Sequence, residues 1–210
     1  MTPAVPLLVR TDAARPALLA LAWRYGPSIA GPVAVSGAHF LASLLFLHSL
    51  GAAEFGIFSF VLVVSAFAMS VSGAGLVLPA TRSMVKGDTA TTGAVFRLAL
   101  AAGLAFAAVL TLATMASGAT LSHAAPLGLF GAVLAYRWFA RSLAYIEGRM
   151  TAAILSDLVY GCVMVAGLAA LAFAHRISLR LGGELLLLAA IASLVPFGRT
   201  FLRDQWRGLV

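Results

Sequence analysis

Six long runs of mostly apolar residues follow one another along this chain, and they constrain its fold more than any other feature. The runs are Ser28–Leu50, Ile57–Ala80, Ala94–Ala116, Ala124–Ile146, Ala153–Ala174 and Gly182–Gly198. An α-helix needs about 20 such residues to cross the hydrocarbon layer of a bilayer. The strands of membrane barrels alternate polar and apolar residues, and these runs do not alternate. The pattern predicts an all-α polytopic membrane protein with six transmembrane helices in one bundle.

The composition excludes the main alternatives to a membrane protein. Apolar residues make up 62% of the 210 residues and charged residues 10%, against roughly 45–50% and 25% in soluble domains. A soluble chain of this length cannot bury so much apolar surface in one core, because small domains have a high ratio of surface to volume. Intrinsic disorder requires low hydrophobicity and is excluded as well. The single cysteine, Cys162, excludes a disulfide scaffold.

The two ends of the chain differ from the apolar runs, so the sequence divides into three regions. We interpret residues 1–27 as a cytoplasmic amphipathic segment, residues 28–198 as the six-helix bundle and residues 199–210 as a basic cytoplasmic tail. Within the first region, Ala13–Tyr25 combines apolar residues with Arg15 and Arg24, which is typical of a helix that lies in the membrane interface. An unstructured tail is the alternative for this segment.

Basic residues are distributed unequally between the two ends of the predicted spans. Of the 14 Lys and Arg residues, all but two lie on one side, in the N-terminal segment, in the C-terminal tail, and in the second and fourth connections or the adjoining ends of the spans. The opposite side has only Arg176 and Arg180. Cytoplasmic loops of membrane proteins carry an excess of Lys and Arg. The pattern therefore places both termini in the cytoplasm, and the net charge of +7 indicates orientation and not a nucleic-acid partner.

His39 lies at the middle of the first predicted span, where an ionisable side chain is costly and a functional role is the default hypothesis. Ser36, His39 and Ser43 are spaced three and four residues apart, so they share one face of a helix. One interpretation is a polar stripe that lines a water-filled cavity or a substrate path. The other is a neutral histidine that is hydrogen-bonded within the bundle. The spacing is compatible with both.

Four arginines lie near the predicted cytoplasmic ends of the spans, namely Arg82, Arg97, Arg137 and Arg141. Arg82 and Arg97 flank one connection at similar distances, and Arg137 lies one helical turn from Arg141. Arg141 and Asp157 flank the next connection, so they are placed to pair. A guanidinium group binds phosphate through two parallel hydrogen bonds, which predicts a cationic rim for an anionic headgroup. The alternative is that arginines that set the topology extend to lipid headgroups.

The chain contains none of the common catalytic or cofactor-binding motifs. A Gly-x-Ser-x-Gly nucleophile turn, a His-Glu-x-x-His helix and a phosphate-binding P-loop are all missing from the sequence. No Cys/His spacing typical of a metal site is present. We therefore expect a protein that is not an enzyme and that has no metal and no cofactor.

The connection between the first two predicted spans carries a ten-residue motif. Leu50–Ser59 reads Leu-Gly-Ala-Ala-Glu-Phe-Gly-Ile-Phe-Ser. It resembles the Leu-Gly-x-x-Glu-Phe/Tyr-Gly-x-Phe/Tyr signature of polysaccharide flippases, which belong to the multidrug/oligosaccharidyl-lipid/polysaccharide exporter superfamily. The similarity continues in Ala80–Arg82, Arg141–Tyr145 and Ser156–Leu158. It covers residues 28–199, which correspond to the N-terminal six-helix lobe of such proteins.

The resemblance implies a function and a set of partners. Members of the family move lipid-linked sugars across the bacterial inner membrane by alternating access between two six-helix lobes. The chain would then be half of a transporter for a lipid-linked saccharide, and a homodimer or a separate partner would supply the second lobe, unless it is a truncated half. In that role Ser36, His39 and Ser43 line the cavity, and the four arginines contact the headgroup. The alternatives are a non-transporting scaffold or accessory subunit of a polysaccharide assembly complex, and a small-solute exporter of the superfamily.

Overall fold

All of the regular structure described for this chain is helical. The computed structural model describes residues 14–198, and no strand occurs within that range. Its α-helices are α1 (Ala14–Ser49), α2 (Ala52–Ser72), α3 (Leu78–Lys86), α4 (Thr89–Ala116), α5 (Leu121–Ile146), α6 (Met150–Phe173) and α7 (Leu179–Ala192). A π-helical turn, Gly73–Val77, joins α2 to α3, and a 3₁₀ turn, Val195–Phe197, follows α7. The predicted all-α class is confirmed for this part of the chain.

Five helical segments of the described chain are long and apolar enough to cross a membrane. They are Ile29–Ser49, Ala52–Lys86, Ala90–Ala116, Met150–Phe173 and Leu179–Phe197. The fourth predicted span forms α5, which has 26 residues and is not among the five. Its mean hydropathy is lower because it contains Arg137 and Arg141, and both of these side chains are buried in the bundle.

The first helix is longer than the sequence predicts. The expected short helix over Ala13–Tyr25 is not a separate element, since α1 begins at Ala14 and continues to Ser49. Pro27 and Pro32 lie within α1 without ending it, because the φ angle of proline is compatible with a helix even though one backbone hydrogen bond is lost. Residues 1–13 and the basic tail 199–210 lie outside the described residues. A position of the first segment in the membrane interface stays a prediction.

Two tight turns reverse the chain at one end of the bundle, which we call the basic end. Gly87 follows α3 in a left-handed conformation, with φ at 69°, and Asp88 caps α4. Hydrogen bonds from the Thr91 hydroxyl and backbone N–H hold the pKa of Asp88 below its ordinary value. Gly148, with φ at 73°, follows α5 in the same way. The chain then enters α6 directly, so residues equally distant from this turn face each other across α5 and α6.

α5 is the central helix of the bundle. It packs against α2, α4 and α7, and it buries more residues than any other described helix. α1 packs mainly on α6. The larger apolar cluster is built around the aromatic residues Phe46, Phe58 and Phe130. The smaller cluster, at the basic end, is built around Phe139 and Phe197.

Large apolar side chains also cover the outside of the bundle. Among the most exposed are Val63, Phe67, Leu104, Leu112 and Phe173. Soluble monomers rarely expose extended apolar surface, whereas helices that face lipid require it. The described chain therefore has both the helices and the surface of a multi-pass membrane protein.

Candidate functional site

One carboxylate, that of Asp157, binds two arginines inside the bundle. Its Oδ1 accepts a hydrogen bond from Nη2 of Arg137 at 2.5 Å, and its Oδ2 accepts one from Nε of Arg141 at 2.9 Å. Nε of Arg137 also donates to the Ser156 hydroxyl at 3.2 Å. Arg141 and Asp157 lie at equal distances along the chain from Arg149, and the pairing predicted from that spacing is present.

This charged cluster, consisting of Arg137, Arg141 and Asp157, is enclosed by the bundle. The three side chains expose only 2%, 9% and 1% of their surface, respectively. Removing charges from water is expensive, and only close pairing with good geometry offsets that cost. Because two positive charges share one negative charge, the cluster keeps one formal excess positive charge in a mostly apolar interior.

Aromatic rings cover the faces of both guanidinium groups. The Cζ atom of Arg137 lies 4.8 Å from the centre of the Tyr160 ring. The Cζ atom of Arg141 lies 4.9 Å from the ring centres of both Trp138 and Tyr145, and its Nη2 donates to the Tyr145 hydroxyl at 3.4 Å. Cations are attracted to the negative face of an aromatic ring. The rings therefore replace part of the hydration that the buried arginines lose.

Tyr160 connects the charged cluster to α1. Its hydroxyl lies 2.6 Å from Nε2 of His39, within hydrogen-bond distance, and the two rings meet edge to face. The Ser43 hydroxyl donates to the backbone carbonyl of His39 at 2.8 Å. A polar network thus runs from α1 through α6 to α5. This geometry agrees with the interpretation of His39 as a histidine that is hydrogen-bonded within the bundle.

The backbone of α1 passes directly over the carboxylate because residue 31 is glycine. A Cβ atom at Gly31 would lie 3.0 Å from Cγ and 3.1 Å from Cβ of Asp157, and closer still to Oδ2. Gly161 of α6 gives a second close approach, since a Cβ atom there would lie 3.5 Å from the carbonyl oxygen of Ala34. Small residues permit such contacts between helices. The two glycines therefore allow α1 to pack closely against α6 next to the charged cluster.

No model of a known protein family matches this chain, and no curated protein or solved structure matches it either. The resemblance to polysaccharide flippases therefore rests on the residues of the chain itself. In the structure, Leu50 and Gly51 form the turn between α1 and α2, and the rest of the Leu50–Ser59 motif begins α2, with Glu54 in its first turn. An acidic residue there interacts favourably with the helix dipole. Membership of the family stays a prediction.

The structure brings together part of the set of residues predicted from the sequence. His39, Arg137 and Arg141 belong to one connected network, whereas Ser43 bonds only to the backbone carbonyl of His39 on the same helix. Ser36, on the same helix as His39, is exposed. Within the predicted polar stripe, His39 therefore faces the bundle, whereas Ser36 is exposed on the outside of α1.

The four arginines divide into two pairs. Arg137 and Arg141 are buried against Asp157 and do not stand at an open rim. Arg82 and Arg97 are exposed on α3 and α4, which pack against each other, and neither contacts Asp157. The four arginines of the predicted rim are thus separated into an interior pair and an exterior pair, which have different surroundings.

Four side chains of the network are given no role from the sequence, namely Trp138, Tyr145, Ser156 and Tyr160, although Tyr145 and Ser156 lie in stretches that resemble flippases. Helical spacing contains a signal for two of them, because Tyr145 follows Arg141 by four residues and Tyr160 follows Asp157 by three. Gly31 gives no comparable signal. Its importance depends on the contact between α1 and α6, which only the folded structure shows.

The chemistry of this network is electrostatic. Its guanidinium groups donate hydrogen bonds in the planar arrangement that suits carboxylates and phosphates, and the excess positive charge favours an anion close to the cluster. Among residues 14–198, no three His, Cys, Asp or Glu side chains are grouped so as to hold a metal ion. The arrangement can hold helices together and can attract an anionic ligand.

Proposed function

We propose that this chain is a half-size, flippase-like transporter that translocates a lipid-linked saccharide across the bacterial inner membrane for polysaccharide biosynthesis or export. The observation that carries the proposal is the excess positive charge of Arg137, Arg141 and Asp157 within an apolar bundle. Ionisable groups at such positions are expensive, and they often mark substrate paths. The phosphate groups that join a saccharide to its lipid carry the negative charge that this cluster attracts.

The proposal includes six membrane spans, one more than the five candidate helices, and an orientation for them. α5 acts as a sixth span, both termini are cytoplasmic, and residues 1–27 form an amphipathic segment at the membrane surface. The burial of Arg137 and Arg141 supports the sixth span, because α5 keeps its charges away from lipid. The concentration of Lys and Arg in the connections of the basic end supports its cytoplasmic placement.

A second lobe is part of the proposal, because one six-helix unit of this type lines only half of a transport cavity. α1 packs mainly on α6 and leaves Ser36, Gly37 and Phe40 exposed. This face lies on the same helix as His39, which connects it to the charged cluster through Tyr160. We place a second lobe, such as another copy of the chain, against this face of α1.

A cysteine at position 36 tests that placement. In a Cys162→Ser background, Ser36→Cys is expected to form a disulfide-linked dimer in oxidised membranes, because a two-fold axis brings the same surface of both copies together. Gel mobility without reductant measures the dimer. Leu104→Cys, on the exposed face of α4, is the control and should remain monomeric. Monomers at both positions would contradict pairing of two copies through α1.

Transport is tested by complementation in cells that lack the native gene. His39→Ala/Arg137→Ala is expected to reduce export about tenfold or more, the effect of losing a hydrogen bond from a charged group. Lipid-linked precursor should accumulate at the same time. Both products and the membrane abundance of the variant are quantified. Arg180→Ala breaks only an exposed pair with Glu184 and should export like the wild type. Normal export by the double variant contradicts the proposal.

A non-transporting scaffold or accessory subunit of a polysaccharide assembly complex is the second candidate. The internal pairing of the charged cluster favours it, since both oxygens of Asp157 are bound and both arginines stack on aromatic rings. A buried network that is satisfied in this way also fixes the positions of helices. A scaffold keeps export intact when His39 is replaced by alanine in a protein that still folds, whereas a transporter does not.

A further inference from the structure

A groove between α2 and α4 lies apart from the charged cluster. Phe67 and Val71 form one wall, Leu98 and Phe106 form the other, and Phe139 of α5 contributes to the floor. The groove encloses about 600 Å³, within the range of roughly 300–1,000 Å³ that is usual for small-molecule sites. Phe67, Val71 and Leu98 are exposed, so the groove opens to the outside of the bundle.

The π-helical turn lies at one end of this groove. Gly75 and Leu76, both within the turn, line it. A Cβ atom at Gly75 would meet nothing within 4 Å, so the glycine leaves open space on this side of the groove. Single π-helical turns are rare and occur frequently at functional sites. The turn therefore singles out this surface from the rest of the apolar exterior.

The dimensions of the groove match one leaflet of a bilayer. Its lining residues extend from Val64 to Leu76 along α2 and the π-helical turn, about 18 Å at the rise of a helix, and about 12 Å along α4 from Leu98 to Phe106. Half of the hydrocarbon layer is about 15 Å thick. The lining is apolar except for Ser72 and Tyr136. An extended acyl chain has the length and the chemistry that fit this groove.

Basic side chains continue the same helix face toward the basic end. Four exposed residues follow one another at intervals of four, three and four positions, namely Gly75, Pro79, Arg82 and Lys86. Such spacing places them on one face, and Arg82 lies about 9 Å beyond Leu76 by helical rise. The neighbouring acidic residue, Asp88, accepts two hydrogen bonds from Thr91. The apolar groove thus leads to a positively charged surface.

We propose that the groove binds one acyl chain of an anionic phospholipid of the surrounding bilayer, and that Arg82 and Lys86 contact its phosphate headgroup. Lysine and arginine near the membrane surface attract anionic lipids, and the groove holds the chain that such a lipid extends into the leaflet. This proposal concerns a bilayer lipid and a surface outside the charged cluster. It holds whether or not the chain transports a saccharide.

Native mass spectrometry of the purified full chain in detergent tests the lipid site. Phosphatidylglycerol and phosphatidylcholine with identical acyl chains are the probes, and the binding of the first lipid molecule is titrated. The wild type is expected to bind phosphatidylglycerol about tenfold more tightly, the size of effect that basic residues near an anionic lipid produce. Equal affinity for the two lipids in the wild type overturns the proposal.

Two pairs of variants separate the groove from the headgroup contact. Ala102→Trp fills the groove, whereas Ala101→Trp lies on the same helix outside the lining. The first is expected to lose the tight site and the second to keep it. Arg82→Ala/Lys86→Ala should bind both lipids equally, while Arg176→Ala/Arg180→Ala should keep the preference. Identical binding by the two tryptophan variants, or an unchanged preference in Arg82→Ala/Lys86→Ala, overturns the assignment. All four substitution sites of the charge variants are exposed, so their folding is not at issue.

Discussion

Asp157→Asn is expected to destabilise the folded protein by about 3–5 kcal/mol, the cost of removing one partner from a buried ion pair. Asparagine has nearly the size of aspartate, so the loss comes from the charge and not from a cavity. The substitution leaves Arg137 and Arg141 next to each other without a counter-charge, and both side chains are buried. Helices α5 and α6 then lose the ion pairs that join them at this depth.

Reversible unfolding in mixed detergent micelles, followed by circular dichroism, measures the loss. Glu147→Gln is the matched control, because Glu147 is exposed and its carboxylate lies 3.6 Å from Nη1 of Arg149. That pair is worth about 0–1 kcal/mol at a partly exposed position. Replacing the whole cluster by apolar residues, as in Arg137→Met/Arg141→Met/Asp157→Leu, should restore most of the stability. A stability of Asp157→Asn equal to that of Glu147→Gln would show that the arginines do not depend on the carboxylate.

Gly31→Ala is expected to destabilise the protein by about 1–3 kcal/mol, the usual cost of overpacking. The added methyl group would lie 3.0 Å from Cγ of Asp157, so either α1 moves away from α6 or the carboxylate moves away from its arginines. Either movement weakens the polar network, including the contact between His39 and Tyr160. The effect should therefore lie at the upper end of the range.

Gly37→Ala is the control for this substitution, because it lies on the same helix and a Cβ atom there meets nothing within 4 Å. Alanine favours a helix over glycine by up to about 1 kcal/mol, so this variant should be slightly more stable than the wild type. The two glycine substitutions are thus expected to have opposite signs in the same unfolding experiment. A stabilising effect of Gly31→Ala would mean that α1 is not seated on Asp157.

The positions of the helices could be predicted from the sequence more reliably than their ends. Each apolar run corresponds to a helix because the residues that face lipid or the core must be apolar over the whole span. The run Ile57–Ala80 is part of a helical stretch from Ala52 to Lys86, since hydrogen bonding along a helix continues past the apolar residues until a residue such as Gly87 ends it. Hydropathy does not detect polar residues at helix ends, and it gives no sign of the π-helical turn.

The charged cluster shows which part of the site was predictable. The pairing of Arg141 with Asp157 follows from the position of a turn, because antiparallel helices place equidistant residues side by side. The burial of Arg137 depends on the length of α5, and the exposure of Ser36 depends on which side of α1 meets α6. His39 and Ser43 border the face that contains the buried residues Ala38 and Ala42, whereas Ser36 lies further around the helix. Only the contact between α1 and α6 determines this difference.

The turn at Gly148 has a consequence for the biosynthesis of the chain. α5 leaves the ribosome before α6, so Arg137 and Arg141 are made before the carboxylate that neutralises one of them. A helix with two unpaired arginines enters a bilayer poorly, and Asp157 becomes available only after the turn has reversed the chain. In a membrane-spanning protein we therefore expect α5 and α6 to insert together as one hairpin, which allows the ion pairs to form between them.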